Sequence, residues 1–338
     1  MRAAVLHHFK TPLSLEDVER PTPAPDEVLI QVEACGACHS DLHVIDGDWT
    51  QLSGIVKRPL IPGHEIVGRV AELGPDVGNL QIADRVGVPW IHWSCGECEF
   101  CRAGCENLCA KQKITGVTVD GGYAEFMKAP ASHTVRVPDH LSPIEAAPLF
   151  CAGLTVYRAL KQAGPVSGKR LAVFGIGGLG HLAVQLARCF GAEVTAIDVS
   201  DEKLELAKQC GAERVLNAST SEVVKQVRRQ GGMHVALVCS AAKAAYDMAF
   251  QCVRPTGTLL VVGLPAENIC FPPILMSARE IRIQACAVGT RQELREVLAL
   301  ASEGKVRCQA ASRPLSNVND VLGELRAGKV SGRMVLTP

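Results

Sequence analysis

From Arg170 to about residue 288 the chain alternates short apolar runs with amphipathic ones, and this rhythm restricts the fold more than any other feature. The apolar runs are RLAVFG, EVTAID, RVL, HVALVC, TLLVVG and IRIQACAV. Helical patterns lie between most of them, at residues 179–190, 201–209, 221–229 and 244–252. A run that is apolar throughout needs cover on both faces. Six such strands joined by helical crossovers predict an α/β fold with a parallel, doubly wound sheet.

The first of these strands ends at Phe174 and runs directly into GIGGLG, residues 175–180. Gly175, Gly177 and Gly180 make the pattern G-x-G-x-x-G. The first glycine permits a tight turn, the second lets backbone approach a pyrophosphate, and the third lets helix and strand pack closely. The helix that follows offers unpaired N–H groups to the phosphates. Glycine-rich turns are common, and it is the strand–turn–helix setting that makes this one a dinucleotide fingerprint. The next strand ends at Asp198, 18 residues after Gly180. An acid there accepts hydrogen bonds from a ribose and repels a 2′-phosphate, which favours NAD over NADP. Its alternative role is to cap the helix that starts near Asp201. Lys203 either reaches the same ribose or is a solvated helix residue. Gly178, Leu179 and Val288 complete the expected cofactor-binding set.

At roughly 150 residues per domain, 338 residues suggest two domains. The first 150 or so are rich in Pro, Gly and Cys, and runs such as 28–34 and 65–73 read as strands bounded by turns. The last 50 or so lose the strand–helix rhythm and are expected to rejoin the first domain. The expected division is 1–153 with 289–338, and 154–288. Lys+Arg and Asp+Glu are both 35, which argues against a general nucleic-acid binder or a polybasic membrane binder. The start, MRAAVLHHFK, has no apolar signal core, and no run of about 18 apolar residues occurs. A soluble, cytoplasmic protein is expected, with no nucleic-acid or membrane partner.

The chain has 15 cysteines, an odd number that argues against a secreted disulfide framework. Cys95, Cys98, Cys101 and Cys109 follow C-x2-C-x2-C-x7-C. Four thiolates so close together can surround one ion tetrahedrally, and zinc is the common occupant. Cys105 falls inside the cluster and is surplus. Unliganded thiols and an iron–sulfur cluster are the alternatives. Four sulfurs leave no open position, so this zinc is expected to be structural.

Further motifs are CGACHSDLHVIDGDW from Cys35, PLIPGHEIVG, CAGLTVYRAL and the terminal GRMVL. With GIGGLG and the four-cysteine loop, in this order, the chain resembles zinc-dependent alcohol dehydrogenases of the medium-chain dehydrogenase/reductase superfamily. The likeness covers essentially the whole chain and is greatest to the short tetrameric type of bacteria and yeast. It implies a Rossmann domain beside a β-rich, GroES-like catalytic domain. It implies that Cys38, His64 and Cys151 hold a catalytic zinc with one position left open. Glu65 resembles an acid that approaches that zinc, and Asp41 a carboxylate that orients the liganding His. Ser40 would contact the alcohol hydroxyl, and the proton would pass by the cofactor ribose to His43. His39 and Arg333 match residues that contact the cofactor pyrophosphate. Trp49 and Trp90 match aromatic positions that narrow the alcohol pocket, with plain core packing as their alternative. The implied cofactors are two Zn²⁺ per chain and NAD, and the implied assembly is a homotetramer. The implied reaction is reversible oxidation of primary alcohols to aldehydes. Secondary, polyhydric or aryl alcohols are the alternative substrates, and a non-catalytic protein that binds NAD and zinc is the alternative of another class. GHEI, where many relatives have GHEG, places Ile66 next to the expected site.

Overall fold

A computed structural model of the chain describes residues 1–265 and 267–338. It divides into two compact units, Thr155–Val288 with Lys305–Arg307, and Met1–Leu154 with Gly289–Gly304 and Cys308–Pro338.

In the unit of residues 155–288 six strands form one sheet, in the order Arg214–Asn217, Glu193–Asp198, Arg170–Phe174, Met233–Val238, Val253–Val261 and Arg282–Ala285. All neighbours are parallel, as the unbroken apolar runs lead one to expect. Leu171 to Phe174 and Val235 to Val238 are buried on both faces of the sheet. Helices Gly180–Cys189, Asp201–Gln209, Val223–Arg229 and Lys243–Cys252 alternate with the strands in the chain. The strand order reverses between Arg170–Phe174 and Met233–Val238. Beyond the carboxyl ends of the strands at such a reversal, open α/β sheets bind their ligands. Gly175 follows the first of these two strands. The run IRIQACAV pairs only over Arg282–Ala285, and most of that strand is exposed. It is an edge strand, and among the described residues no strand pairs with its outer side. Helix Pro273–Arg279 nearby in the chain leaves Ile274 74% and Leu275 45% exposed.

The other unit is built on a seven-stranded sheet. Its order is Ala310–Pro314, Arg333–Thr337, Glu27–Ala37, Glu65–Leu73, Arg85–Val88 and Val135–Arg136, with Phe126–Pro130 also paired to Glu27–Ala37. Two of these strands therefore come from the last residues of the chain. The core gathers Leu6, Ile30, Leu60, Ile66, Val86, Tyr123 and Leu336 among others. Successive strand residues face opposite ways, so Glu65 and Ile66 diverge. Ile66 is fully buried, and a Cβ on Gly122 would lie 2.3 Å from its Cγ1. The unusual bulk of GHEI thus packs into the core against a glycine.

Two histidines here are buried and neutral. The Ser94 backbone N–H donates to His133 Nε2 at 3.0 Å, so that nitrogen carries no proton, and Nδ1 donates to Ser132 Oγ at 2.9 Å. His92 Nδ1 is buried without a hydrogen-bond partner. Burial pushes both imidazoles down to about 4. Below the ordinary imidazole range the unfolded chain takes up protons that the folded chain refuses. Stability is therefore expected to fall as pH drops from about 6.5 to about 4, by about 1–3 kcal/mol per histidine, and to level off below that. Urea titrations across that range, on the parent and on His133→Gln, check it; the variant should lose part of the slope.

Candidate active site and metal centres

Strand Glu27–Ala37 ends at Cys38, and helix His39–Asp46 begins there. Cys38 is the N-cap: its Sγ accepts from Ser40 N at 3.5 Å, and its own N–H donates to Asp41 Oδ2 at 2.9 Å. A helix N-terminus favours a thiolate. Facing Cys151 and His64 also hold the Cys38 thiol well below its ordinary value. His64 immediately precedes strand Glu65–Leu73, and Glu65 opens it opposite Gly36 in the sheet. Cys151 follows the short turn Ala147–Phe150. These elements bring one donor atom each of Cys38, His64, Glu65 and Cys151 within 4.8 Å of one another.

The donor set fits a zinc ion. His64 is 1% exposed, and its Nε2 is buried with no hydrogen-bond partner. Its Nδ1 meets Asp41 Oδ1 at 2.8 Å, which fixes the proton on Nδ1 and leaves the Nε2 lone pair for a metal. Two thiols, one imidazole and one carboxylate converge on the same space. Glu65 is bound from the other side, by Arg333 Nη2 at 2.5 Å. Burial pushes the Glu65 carboxyl up to about 7 despite the pull of Arg333. Room for that carboxylate exists because residue 36 is glycine: a Cβ there would stand 1.9 Å from Glu65 Oε2.

Neither Tyr123 nor the Glu65–Arg333 pair is visible in the sequence pattern. Tyr123 OH donates to Asp41 Oδ2 at 2.8 Å, 82 residues away. Arg333, matched above to a pyrophosphate contact, is 4% exposed and has one guanidinium nitrogen on Glu65. His43 stacks on Trp49, with centroids 4.8 Å apart, and its Nδ1 lies 3.4 Å from Asp48 Oδ2. Trp90 meets His64 edge-on, also at 4.8 Å. Both tryptophans therefore touch expected site residues. Ser40 is half-buried on the first turn of the helix, and His39 beside it is exposed.

The four-cysteine loop brings Cys95, Cys98, Cys101 and Cys109 together within 4.8 Å. Cys95 and Cys101 sulfurs are 3.9 Å apart, and Cys95 and Cys109 sulfurs 3.6 Å. A tetrahedron with zinc–sulfur bonds of about 2.3 Å has edges of about 3.8 Å, so the group fits zinc and is too wide for a disulfide. Glu106 in this loop accepts from Arg291 N and Nε. Its carboxylate thus sits at the positive end of helix Arg291–Ser302 and ties the loop to it.

In the parallel-sheet unit the glycines behave as the fingerprint requires. Gly175 has φ +88°, and a Cβ on Gly180 would stand 2.0 Å from the Gly175 carbonyl oxygen. A Cβ on Gly177 would meet no protein atom within 4 Å, so its open side is available to a ligand. Leu179 is the N-cap of helix Gly180–Cys189, and Gly178 is half-buried in the same loop. Asp198 Oδ2 accepts from Ile176 N at 2.6 Å, and Oδ1 from Val199 N and Ser200 N. The carboxylate is thereby locked against the glycine loop. Helix Asp201–Gln209 is capped by Ser200, not Asp198. Lys203 is half-buried on that helix's first turn. Val288 has φ +43°, a strained backbone for a β-branched residue.

Two domain families match the chain. Residues 24–139 match the alcohol dehydrogenase GroES-like domain, and residues 178–303 match the zinc-binding dehydrogenase domain. The chain is 46% identical over 337 residues to an alcohol dehydrogenase of Geobacillus stearothermophilus, covering 99% of each. Its structure matches the alcohol dehydrogenase of the hyperthermophilic archaeon Aeropyrum pernix with a TM-score of 0.93 and 37% identity, over 100% of both chains. It matches acetophenone reductase from Geotrichum candidum, solved in complex with NAD, with a TM-score of 0.90 and 30% identity, over 100% of this chain and 97% of that one. Fold and donor groups together define a zinc-binding dehydrogenase with a GroES-like domain. The chain belongs to the zinc-dependent alcohol dehydrogenases of the medium-chain dehydrogenase/reductase superfamily. It is an oxidoreductase of the alcohol dehydrogenase kind, and its two donor groups fit zinc.

Proposed function

We propose that this enzyme oxidises primary alcohols to aldehydes, reversibly, with residues 1–154, 289–304 and 308–338 carrying the zinc chemistry and residues 155–288 binding NAD. The observation that carries the reading is the partnerless, buried Nε2 of His64 among the donors of Cys38, Glu65 and Cys151. Cys38, His64 and Cys151 hold one zinc, and Cys95, Cys98, Cys101 and Cys109 a second, structural one. When bound, zinc polarises the substrate oxygen and NAD accepts the hydride.

The chain's own residues handle position and protons. Asp41 holds His64 in one tautomer. Glu65 stays with Arg333 and lies close enough to join the metal. The Ser40 hydroxyl receives the alcohol proton's hydrogen bond, and His43 hands the proton to solvent. The Asp48 carboxylate lies 3.4 Å from His43 Nδ1. Trp49 and Trp90 narrow the pocket, which favours small or flat alcohols. His39 and Arg333 would contact the cofactor pyrophosphate. Gly175, Gly177, Gly178, Leu179 and Gly180 would cradle the dinucleotide, Asp198 and Lys203 would hold its ribose, and Val288, strained at φ +43°, would complete the cofactor-binding set. Strain of this kind, about 1–3 kcal/mol, collects at functional sites.

The resemblance implies a cytoplasmic homotetramer, and exposed Ile274 and Leu275 on helix Pro273–Arg279 offer an apolar surface for self-association. Among the described residues no helix is long and apolar enough to cross a membrane.

A panel of primary, secondary and aryl alcohols with NAD and with NADP tests the reading by the absorbance of the reduced cofactor. Primary alcohols with NAD should give the highest kcat/KM. Asp198→Ala should weaken NAD by about 1–3 kcal/mol through lost ribose hydrogen bonds, and should relieve the exclusion of NADP. A variant that keeps the parent's NAD/NADP ratio would remove Asp198 from the ribose.

A further inference from the structure

Behind the catalytic donors lies a phenol that none of the chemistry above employs. Tyr123 is completely buried, and its OH donates to Asp41 Oδ2 at 2.8 Å. The same oxygen accepts from Cys38 N at 2.9 Å. The other oxygen, Oδ1, meets His64 Nδ1 at 2.8 Å. Asp41 itself is 1% exposed. A continuous path thus runs from the phenol through a carboxylate to the imidazole, and ends on the partnerless Nε2.

We propose that Tyr123 is a positioning residue for the catalytic metal, acting through Asp41 to fix the orientation and proton of His64. This rests on the reading that Cys38, His64 and Cys151 hold zinc. Two donors on Oδ2 pin the plane of the carboxylate. Oδ1 is then aimed at His64 alone, and the Nε2 lone pair at the metal. With only the Cys38 N–H on Oδ2, the carboxylate is free to turn about its last torsion, and the imidazole turns with it.

The hydroxyl is not needed to place the ring. Tyr123 N donates to Pro62 O at 3.0 Å, and Tyr123 O accepts from Ala4 N at 2.8 Å, so the backbone is held on both sides. A glycine borders the ring: a Cβ on Gly63, whose φ is +93°, would stand 2.5 Å from Tyr123 Cδ1. A phenylalanine would occupy the same slot. What it would lack is the one polar contact that reaches Asp41.

The test is Tyr123→Phe in the full-length enzyme, loaded with zinc and, separately, substituted with cobalt. Loss of groups that orient metal ligands typically costs 10–100-fold in metal affinity. For a residue one step further out, release of the catalytic ion to a chelator is expected to be about 10-fold faster. The four-cysteine ion should leave at the parent's rate, as an internal control. The cobalt ligand-field band of the catalytic site should shift. Asp41→Asn should have the larger effect, and adding Tyr123→Phe to it should change nothing more. A Tyr123→Phe enzyme with the parent's release rate and the parent's cobalt band overturns the proposal, whatever its melting temperature. If Tyr123→Phe does not fold, 3-fluorotyrosine in place of the tyrosines supplies a stronger donor. Slower release of the catalytic ion then supports the proposal, and an unchanged rate overturns it. A parent enzyme that binds only the four-cysteine ion defeats the zinc-site reading itself, a result the parent control separates from failure at Tyr123.

Discussion

Cys38→Ser is expected to lower kcat by at least about 10³-fold and to empty the catalytic metal site, while the fold and the second zinc survive. Cys38 carries two duties, and serine separates them. As N-cap of helix His39–Asp46 it accepts a backbone hydrogen bond, and serine is among the best residues for that place. The helix and the Asp41 reach-back are therefore retained. As a metal donor it must be an anion, and a serine hydroxyl does not ionise near neutral pH. The Lewis acid supplies several kcal/mol to the reaction, and each 1.36 kcal/mol is a factor of ten, so a loss of about three decades or more follows. Metal analysis should find close to one zinc per chain where the parent has two. A Cys38→Ser protein with full zinc and the parent's turnover would take Cys38 out of the donor set.

The part of the molecule most legible in the sequence is the part whose signals are local. The parallel sheet announces itself because each strand is a short apolar run and each crossover a helical pattern. The glycine loop is legible for the same reason: turn, approach and packing are all met within six residues. The four cysteines of residues 95–109 lie on one loop, so their spacing already describes a tetrahedron. The run IRIQACAV misleads because an edge strand can share the composition of a central one, and only the sheet order shows that no described strand pairs with its outer side.

The donors proposed for the catalytic metal are the opposite case. Cys38 closes one strand, His64 opens the next, and Cys151 follows a turn far down the chain. No periodicity links them, and only resemblance to known sequences brought them together. Arg333 shows the limit of that route. Its partner Glu65 is 268 residues away and buried, a relation that depends on the last strand pairing with the first half of the chain. Tyr123 gave no signal at all, since a lone aromatic in a loop reads as packing until its hydroxyl is seen on Asp41.

Cys98→Ser is expected to remove the other zinc and to lower Tm by about 10 °C, with the catalytic zinc still in place. The loop of residues 95–109 contains little that could hold it shut. Its helix Glu99–Arg102 has no buried residue, and Phe100 and Leu108 are 40% and 44% exposed. Without a cation the sulfurs cannot all ionise together: burial pushes Cys101 up to about 12, while the backbone N–H groups of residues 97 and 98 pull Cys95 down to about 6. One dication settles that conflict by taking all four as thiolates. Structural zinc is worth about 10–16 kcal/mol in small zinc domains, but here most of the fold stands on its own core, and a loss of about 5 kcal/mol is expected. At about 2 °C per kcal/mol for a chain of this size, that gives the stated shift. The consequence should travel beyond the loop, because Glu106 accepts from Arg291 N at the first turn of helix Arg291–Ser302, which Thr290 caps. Amide exchange in the first turn of that helix should therefore quicken in Cys98→Ser, together with exchange in the loop. Zinc content equal to the parent's, or an unchanged Tm after the metal is lost, would show that the loop does not depend on the ion.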